Sequence, residues 1–143
     1  MSDLSNFESR TGKLNCSDQE LFHFVTDLRN FERFILQGTF GNWQADRESC
    51  SFSVPVPGKV SIRLVEKENY VRVVYTGDAL KKNDFTLVLN ITGKGNSLTE
   101  VKVSLSADLN PMLKMMAAKP LGQFLEILIS EMEKFEEWKD LKE

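Results

Sequence analysis

From Trp43 to Asp108 apolar and polar residues alternate with a period of two, and after Pro111 the period becomes that of a helix. These two patterns, in this order, constrain the fold more than any single motif. Val60, Ile62 and Leu64 alternate with Ser61 and Arg63. Val71, Val73 and Tyr75 flank Arg72 after a tight turn at Glu68–Asn69. Phe85, Leu87, Leu89 and Ile91 alternate with Thr86, Val88 and Asn90, and Val101, Val103, Leu105 and Ala107 with Glu100, Lys102, Ser104 and Ser106. Trp43 to Arg47 and Cys50 to Val54 read as two more short strands, out of step with each other, which places a turn at Glu48–Ser49. Connections as short as Gly93 to Asn96 make neighbours antiparallel. The product is a sheet with one wet and one dry face, and a dry face needs a cover.

The cover is the last segment. Asn110 is an N-cap with Pro111 at the first helical position. Leu121, Phe124, Leu125, Leu128, Met132 and Phe135 then form one apolar stripe, with Glu126, Glu133, Glu136 and Glu137 mainly away from it. Pro120 cannot donate to the carbonyl of Met116 and is expected to kink this helix.

Ahead of the sheet, Phe7 to Leu14 reads as a first strand. Ser17 and Glu20 then have the spacing of a capping box, with Cys16 and Leu21 placed to form its hydrophobic staple. Leu21, Phe24, Val25 and Leu28 mark the buried stripe of the helix that follows. Asn30 is expected to cap a second short helix carrying Phe31, Phe34 and Ile35, and Gly38, Gly41 and Asn42 to end it. The expected class is α+β: a curved antiparallel sheet of about seven strands, two short helices and one long C-terminal helix. With 143 residues and no repeat or linker, the chain reads as one domain, 1–143.

Composition removes several functions. The net charge is -3, from 18 basic and 21 acidic residues that interleave. Nucleic-acid backbones require a clustered positive field, so no nucleic-acid partner is expected. No apolar run reaches the ~20 residues of a membrane span, and residues Met1 to Asn6 are polar rather than signal-like. Two cysteines, Cys16 and Cys50, suit reduced thiols, and a cytoplasmic location is expected. One histidine, no Cys/His or Asp/Glu cluster of metal-ligand spacing, and no nucleophile or phosphate-loop motif leave no expected metal or cofactor. His23 is phased away from the apolar stripe and should be exposed. Asp108 would serve either as an acid at a pocket mouth or, more simply, to complement the dipole of the last helix. No catalytic residue is assigned.

This order of elements, together with the stretches DLRNFERFI at Asp27 to Ile35 and LNPMLKMMAAKPLGQFLEIL at Leu109 to Leu128, resembles the START-like helix-grip superfamily (SRPBCC) in a small bacterial-type form. The resemblance covers the whole chain. It implies a cavity between the curved sheet and the last helix, where relatives bind lipids, polyketides, quinones or hormones. The glycine-rich loop of the plant pathogenesis-related allergens has no counterpart here, and the chain is much shorter than a full lipid-transfer START domain.

On that fold the dry face supplies Phe52, Ile62, Val73, Tyr75, Phe85, Leu87 and Leu89 as candidate cavity walls, with Ala117, Ala118, Leu121 and Phe124 from the helix. An ordinary filled core is the alternative for such residues. Two features favour space. A buried Tyr75 hydroxyl needs a partner or water, and the small residues Ala117, Ala118 and Gly122 leave either a close helix–sheet approach or a void. Met112, Met115 and Met116 fall opposite Leu121 and Phe124 on a straight helix. They either form an exposed patch for a second copy or a protein partner, turn back over the pocket at the Pro120 kink, or belong to the core. The leading expectation is a non-catalytic binding protein for a small, largely apolar molecule. A polyketide cyclase or dehydratase using the same cavity, and an interaction module resembling chaperone ATPase activators, are the alternatives.

Overall fold

The computed structural model describes residues 4–32, 41–53, 59–79, 83–95, 97–109 and 111–135. Strands β1 (Leu4–Glu8) and β2 (Gly12–Leu14) lead into α1 (Asp18–Val25) and a 3-10 turn (Leu28–Phe31). Then follow β3 (Gly41–Ala45), β4 (Ser49–Ser53), β5 (Lys59–Glu68), β6 (Arg72–Ala79), β7 (Asn83–Gly95), β8 (Leu98–Asp108) and the long helix α2 (Pro111–Lys134). All pairings are antiparallel, in the order β1-β8-β7-β6-β5-β4-β3, with β2 also on β8. The expected α+β architecture is the one observed.

The first strand is two segments rather than one. Ser9 separates them: its N–H donates to the Val103 carbonyl (2.8 Å), while the Val103 N–H donates to Ser9 Oγ (2.9 Å). A side-chain oxygen has replaced a ladder carbonyl, so the strand bulges and resumes at Gly12. The turn before β4 also lies earlier than expected. Asp46 Oδ1 accepts from the N–H groups of Glu48 and Ser49 and from Ser49 Oγ, so Ser49 already begins β4. These bonds to the charged form hold the Asp46 carboxyl below the usual carboxylate range. Val71, expected on the dry face, is instead exposed in the β5–β6 turn, where Tyr70 takes a positive φ of 69°.

The capping box of α1 is present in both directions: Glu20 N–H donates to Ser17 Oγ, and Ser17 N–H to Glu20 Oε1. Cys16 and Leu21 are both fully buried beside it. Phe22, outside the expected stripe, is buried too, because Tyr70 covers it edge-on at 5.3 Å. The 3-10 turn is capped by Asp27, which accepts from Arg29 N–H; the helix that Asn30 is expected to cap lies largely outside the described residues. Asn30 is buried inside the turn, where its Nδ2 donates to the Phe24 carbonyl (3.0 Å). Phe34, Ile35 and Gly38 lie outside the described residues.

Helix α2 is seated at its C-terminal half. Leu125, Leu128, Ile129 and Met132 are buried, spaced as one helical face. Ile129, absent from the expected stripe, fits because Gly12 has no side chain: a Cβ there would lie 2.9 Å from Ile129 Cγ2. Arg10 closes this seat from outside, donating to Glu126 (3.0 Å), Glu133 (2.7 Å) and Ser130 Oγ (3.3 Å), while Lys13 N–H donates to Glu133 (2.9 Å). Hydrogen bonding to Arg10 holds the Glu133 carboxyl below its usual range.

Candidate functional site

The strand registers sort the inner face into rows. Val73, Leu89 and Val103 form one, and Tyr75, Leu87 and Leu105 the next. Ala45, Cys50, Ile62, Gly77, Phe85 and Ala107 form a third, nearer the start of α2. The first two rows are fully covered: Val73, Tyr75, Leu87 and Leu89 are buried in the same cluster as Leu125, Leu128, Ile129 and Met132. Here the predicted walls are filled core. Tyr75 contributes no argument for space, because its hydroxyl donates to the Val25 carbonyl at 2.7 Å. Burial then holds the phenol well above its ordinary pKa.

Towards the start of α2 the cover thins. Phe52 and Ile62 remain buried, but Phe85, Leu121 and Phe124 are only half-buried, as are Trp43, Ala45 and Leu109. Three of these rings form a stack that bridges sheet and helix. Phe52 lies with its centroid 6.1 Å from Trp43 and 6.4 Å from Phe124, with interplanar angles of 26° and 15°. Offset stacking is a favoured arrangement of aromatic pairs. Trp43 was not among the predicted walls. Its alternation with Ala45 on β3 is the signal that places it on the inner face.

The small residues of α2 do not bring helix and sheet together. A Cβ added to Gly122 would meet nothing within 4 Å, and Ala118 is exposed. The side chain of Ala117 lies outside the described set. Close approach occurs instead one helical stretch later, at Gly12 and Ile129. Met112, Met115 and Met116 are exposed to 71, 82 and 59%, so of the three readings of these residues the structure has the open patch.

A cavity of about 960 Å³ lies on the opposite face of the sheet. Its walls are two rows of outward side chains: Ser49, Arg63, Thr76, Thr86 and Ser106, and Gln44, Ser51, Ser61 and Asp78 with Asp108. Its floor is the main chain of the row between them, so of the predicted walls only Ile62 and Phe85 touch it. Asp108 belongs to this polar groove rather than to an apolar mouth. Arg63 has no ion-pair partner among the described residues.

Other chemistry is sparse. His23 is exposed as expected, packed edge-on against Phe22 and Tyr70. Burial pushes the thiols of Cys16 and Cys50 up to about 12, which keeps both protonated and unreactive. Among the described residues no group of His, Cys, Asp or Glu is placed to hold a metal ion. No described helix is long and apolar enough to cross a membrane.

No protein-family model and no curated protein sequence matches the chain. Solved structures do. Truncated norcoclaurine synthase from Thalictrum flavum superimposes with a TM-score of 0.72 at 12% identity, over 93% of each chain. A protein from Thermobifida fusca gives 0.66 at 15% identity, covering 96% of this chain and 95% of its own. A START superfamily protein from Mycobacterium smegmatis gives 0.62 at 13% identity, covering 92 and 97%. The chain therefore has the START-like helix-grip fold. At these identities the likeness extends to the fold and no further.

Proposed function

We propose that the protein binds a small, largely apolar molecule at the half-open end of the inner face, between β3–β4 and the first half of α2. The observation that carries this reading is the Trp43–Phe52–Phe124 stack, whose outer members are half-buried while the rows of Val73 and Tyr75 are fully covered. Partly exposed stacked rings leave apolar area that a ligand can remove from water, at roughly 25 cal/mol per Å². On the same stretch of helix Gly122 and Ala118 are exposed. A neighbour of the same fold, norcoclaurine synthase, has been solved with dopamine and hydroxybenzaldehyde, both small aromatic molecules.

Native mass spectrometry of freshly purified protein tests the reading. A co-purifying apolar molecule, or stoichiometric uptake of the probe anilinonaphthalene sulfonate, is expected from the native chain. Ala118→Phe should fill the space and displace either one without lowering the melting temperature. Absence of any adduct together with no saturable probe binding counts against a site here.

A further inference from the structure

Among the described residues the fold sorts the sulfur atoms into two groups. Cys16 and Cys50 are buried, and Met132 is fully buried in the seat of α2. Met112, Met115 and Met116 are exposed to 71, 82 and 59%. Their spacing of three and four residues puts them on one side of α2. By helical phase that side lies roughly opposite Leu125, Leu128, Ile129 and Met132, which seat the helix.

What these three side chains can do follows from thioether chemistry. The sulfur attacks one oxygen of hydrogen peroxide, the O–O bond breaks and an S–O bond forms. The second oxygen leaves as water, carrying the proton of the first. Sulfur loses two electrons and the peroxide gains them, and susceptibility follows exposure. A thiol reacts as its thiolate, and burial pushes Cys16 and Cys50 up to about 12, so neither competes. We propose that Met112, Met115 and Met116 form a reversible peroxide-oxidation site, which turns the outer side of α2 from apolar to polar and leaves the fold intact. At exposed positions the polar sulfoxides keep their water. At Met132 the same group would enter the core without a partner. The proposal rests neither on a small molecule bound beside the helix nor on a partner covering its outer side.

Peroxide treatment of the native chain, followed by peptide mapping with mass spectrometry, tests the proposal. Met112, Met115 and Met116 should each gain one oxygen while Met132, Cys16 and Cys50 gain none. In urea Met132 should react as well, because the fold is what shields it. The oxidised chain should keep its melting temperature and elute earlier from a hydrophobic-interaction column. Methionine sulfoxide reductases A and B, one for each sulfoxide epimer, should remove the added oxygen from the folded chain and restore the elution. Met112→Leu, Met115→Leu and Met116→Leu together keep this side apolar and should abolish both oxygen uptake in the first half of α2 and the elution shift.

Four results would each overturn the proposal. They are Met132 or either cysteine reacting in the folded chain as fast as the three exposed methionines, a melting temperature that falls once those three are oxidised, an elution shift that persists in the leucine variant or is absent from the native chain, or sulfoxides that both reductases leave in place. No small-molecule ligand enters these measurements, so their outcome is separate from that of the adduct measurement.

Discussion

Replacing Gly12 by alanine probes the seat of the long helix with a single methyl group. The new Cβ would lie 2.9 Å from Ile129 Cγ2, 3.4 Å from Val101 Cγ1 and 3.5 Å from Ile129 Cδ1. The second and third are tolerable; the first is not. Ile129 Cγ2 branches from Cβ, and a β-branched side chain in a helix has one strongly preferred rotamer, so the methyl cannot swing clear. Relief must come from moving α2, which Arg10 holds against Glu126 and Glu133. Overpacking of this kind costs about 1–3 kcal/mol. Removing glycine returns about 0.4–1 kcal/mol by restricting the unfolded chain. The net expectation is a loss of about 1–2 kcal/mol, or roughly 3–8 °C for a domain of this size. Urea unfolding and thermal melts followed by circular dichroism measure it. Ile129→Leu removes Cγ2 while conserving volume, so Gly12→Ala with Ile129→Leu should recover most of the loss. An unchanged or raised melting temperature in Gly12→Ala, or no rescue in the double variant, would refute the claim that this contact positions the helix.

Three further expectations follow from the geometry. Tyr75→Phe should cost about 1–2 kcal/mol in urea unfolding, because the buried Val25 carbonyl loses its 2.7 Å donor; a neutral substitution would mean the bond is not formed. Gly122→Ala, with open space around the added methyl, should stabilise by about 1 kcal/mol through helix propensity and raise the melting temperature. Arg29 and Arg10 lower the carboxyl pKa values of Asp27 and Glu133, so their contribution is present above the unfolded values, near pH 4, and is lost as pH falls through the folded ones. Glu133→Gln should therefore flatten the acid limb of the stability–pH profile, and an unaltered limb would discount the Arg10 clamp.

Local rules in the sequence carried much of this fold. The capping box at Ser17 and Glu20 is a spacing rule with a physical cause, and it was read correctly, as were the alternating faces of β7 and β8. What escaped notice depended on partners far along the chain. Nothing near Ser9 announces that its hydroxyl will enter the ladder opposite Val103, and nothing near Ile129 announces that Gly12 makes room for it. Phe22 seemed off-phase because Tyr70, which buries it, arrives from the β5–β6 turn. Asp46 organises the turn before β4 through bonds to residues that follow it. The alternation identified which face of the sheet is buried. It could not divide that face into a sealed part and an open part, because that boundary is set by where α2 is gripped.

That grip has a consequence for how such a chain can change over generations. The residues that fasten α2, Arg10, Gly12, Leu125, Ile129, Met132 and Glu133, all act on its second half. The exposed lysines and methionines, and the half-buried Leu121 and Phe124, occupy the first. One continuous helix thus places the tolerance for substitution and the obligation to fold on separate turns. Substitutions can accumulate from Met112 to Gly122 while the turns that hold the helix on the sheet stay as they are.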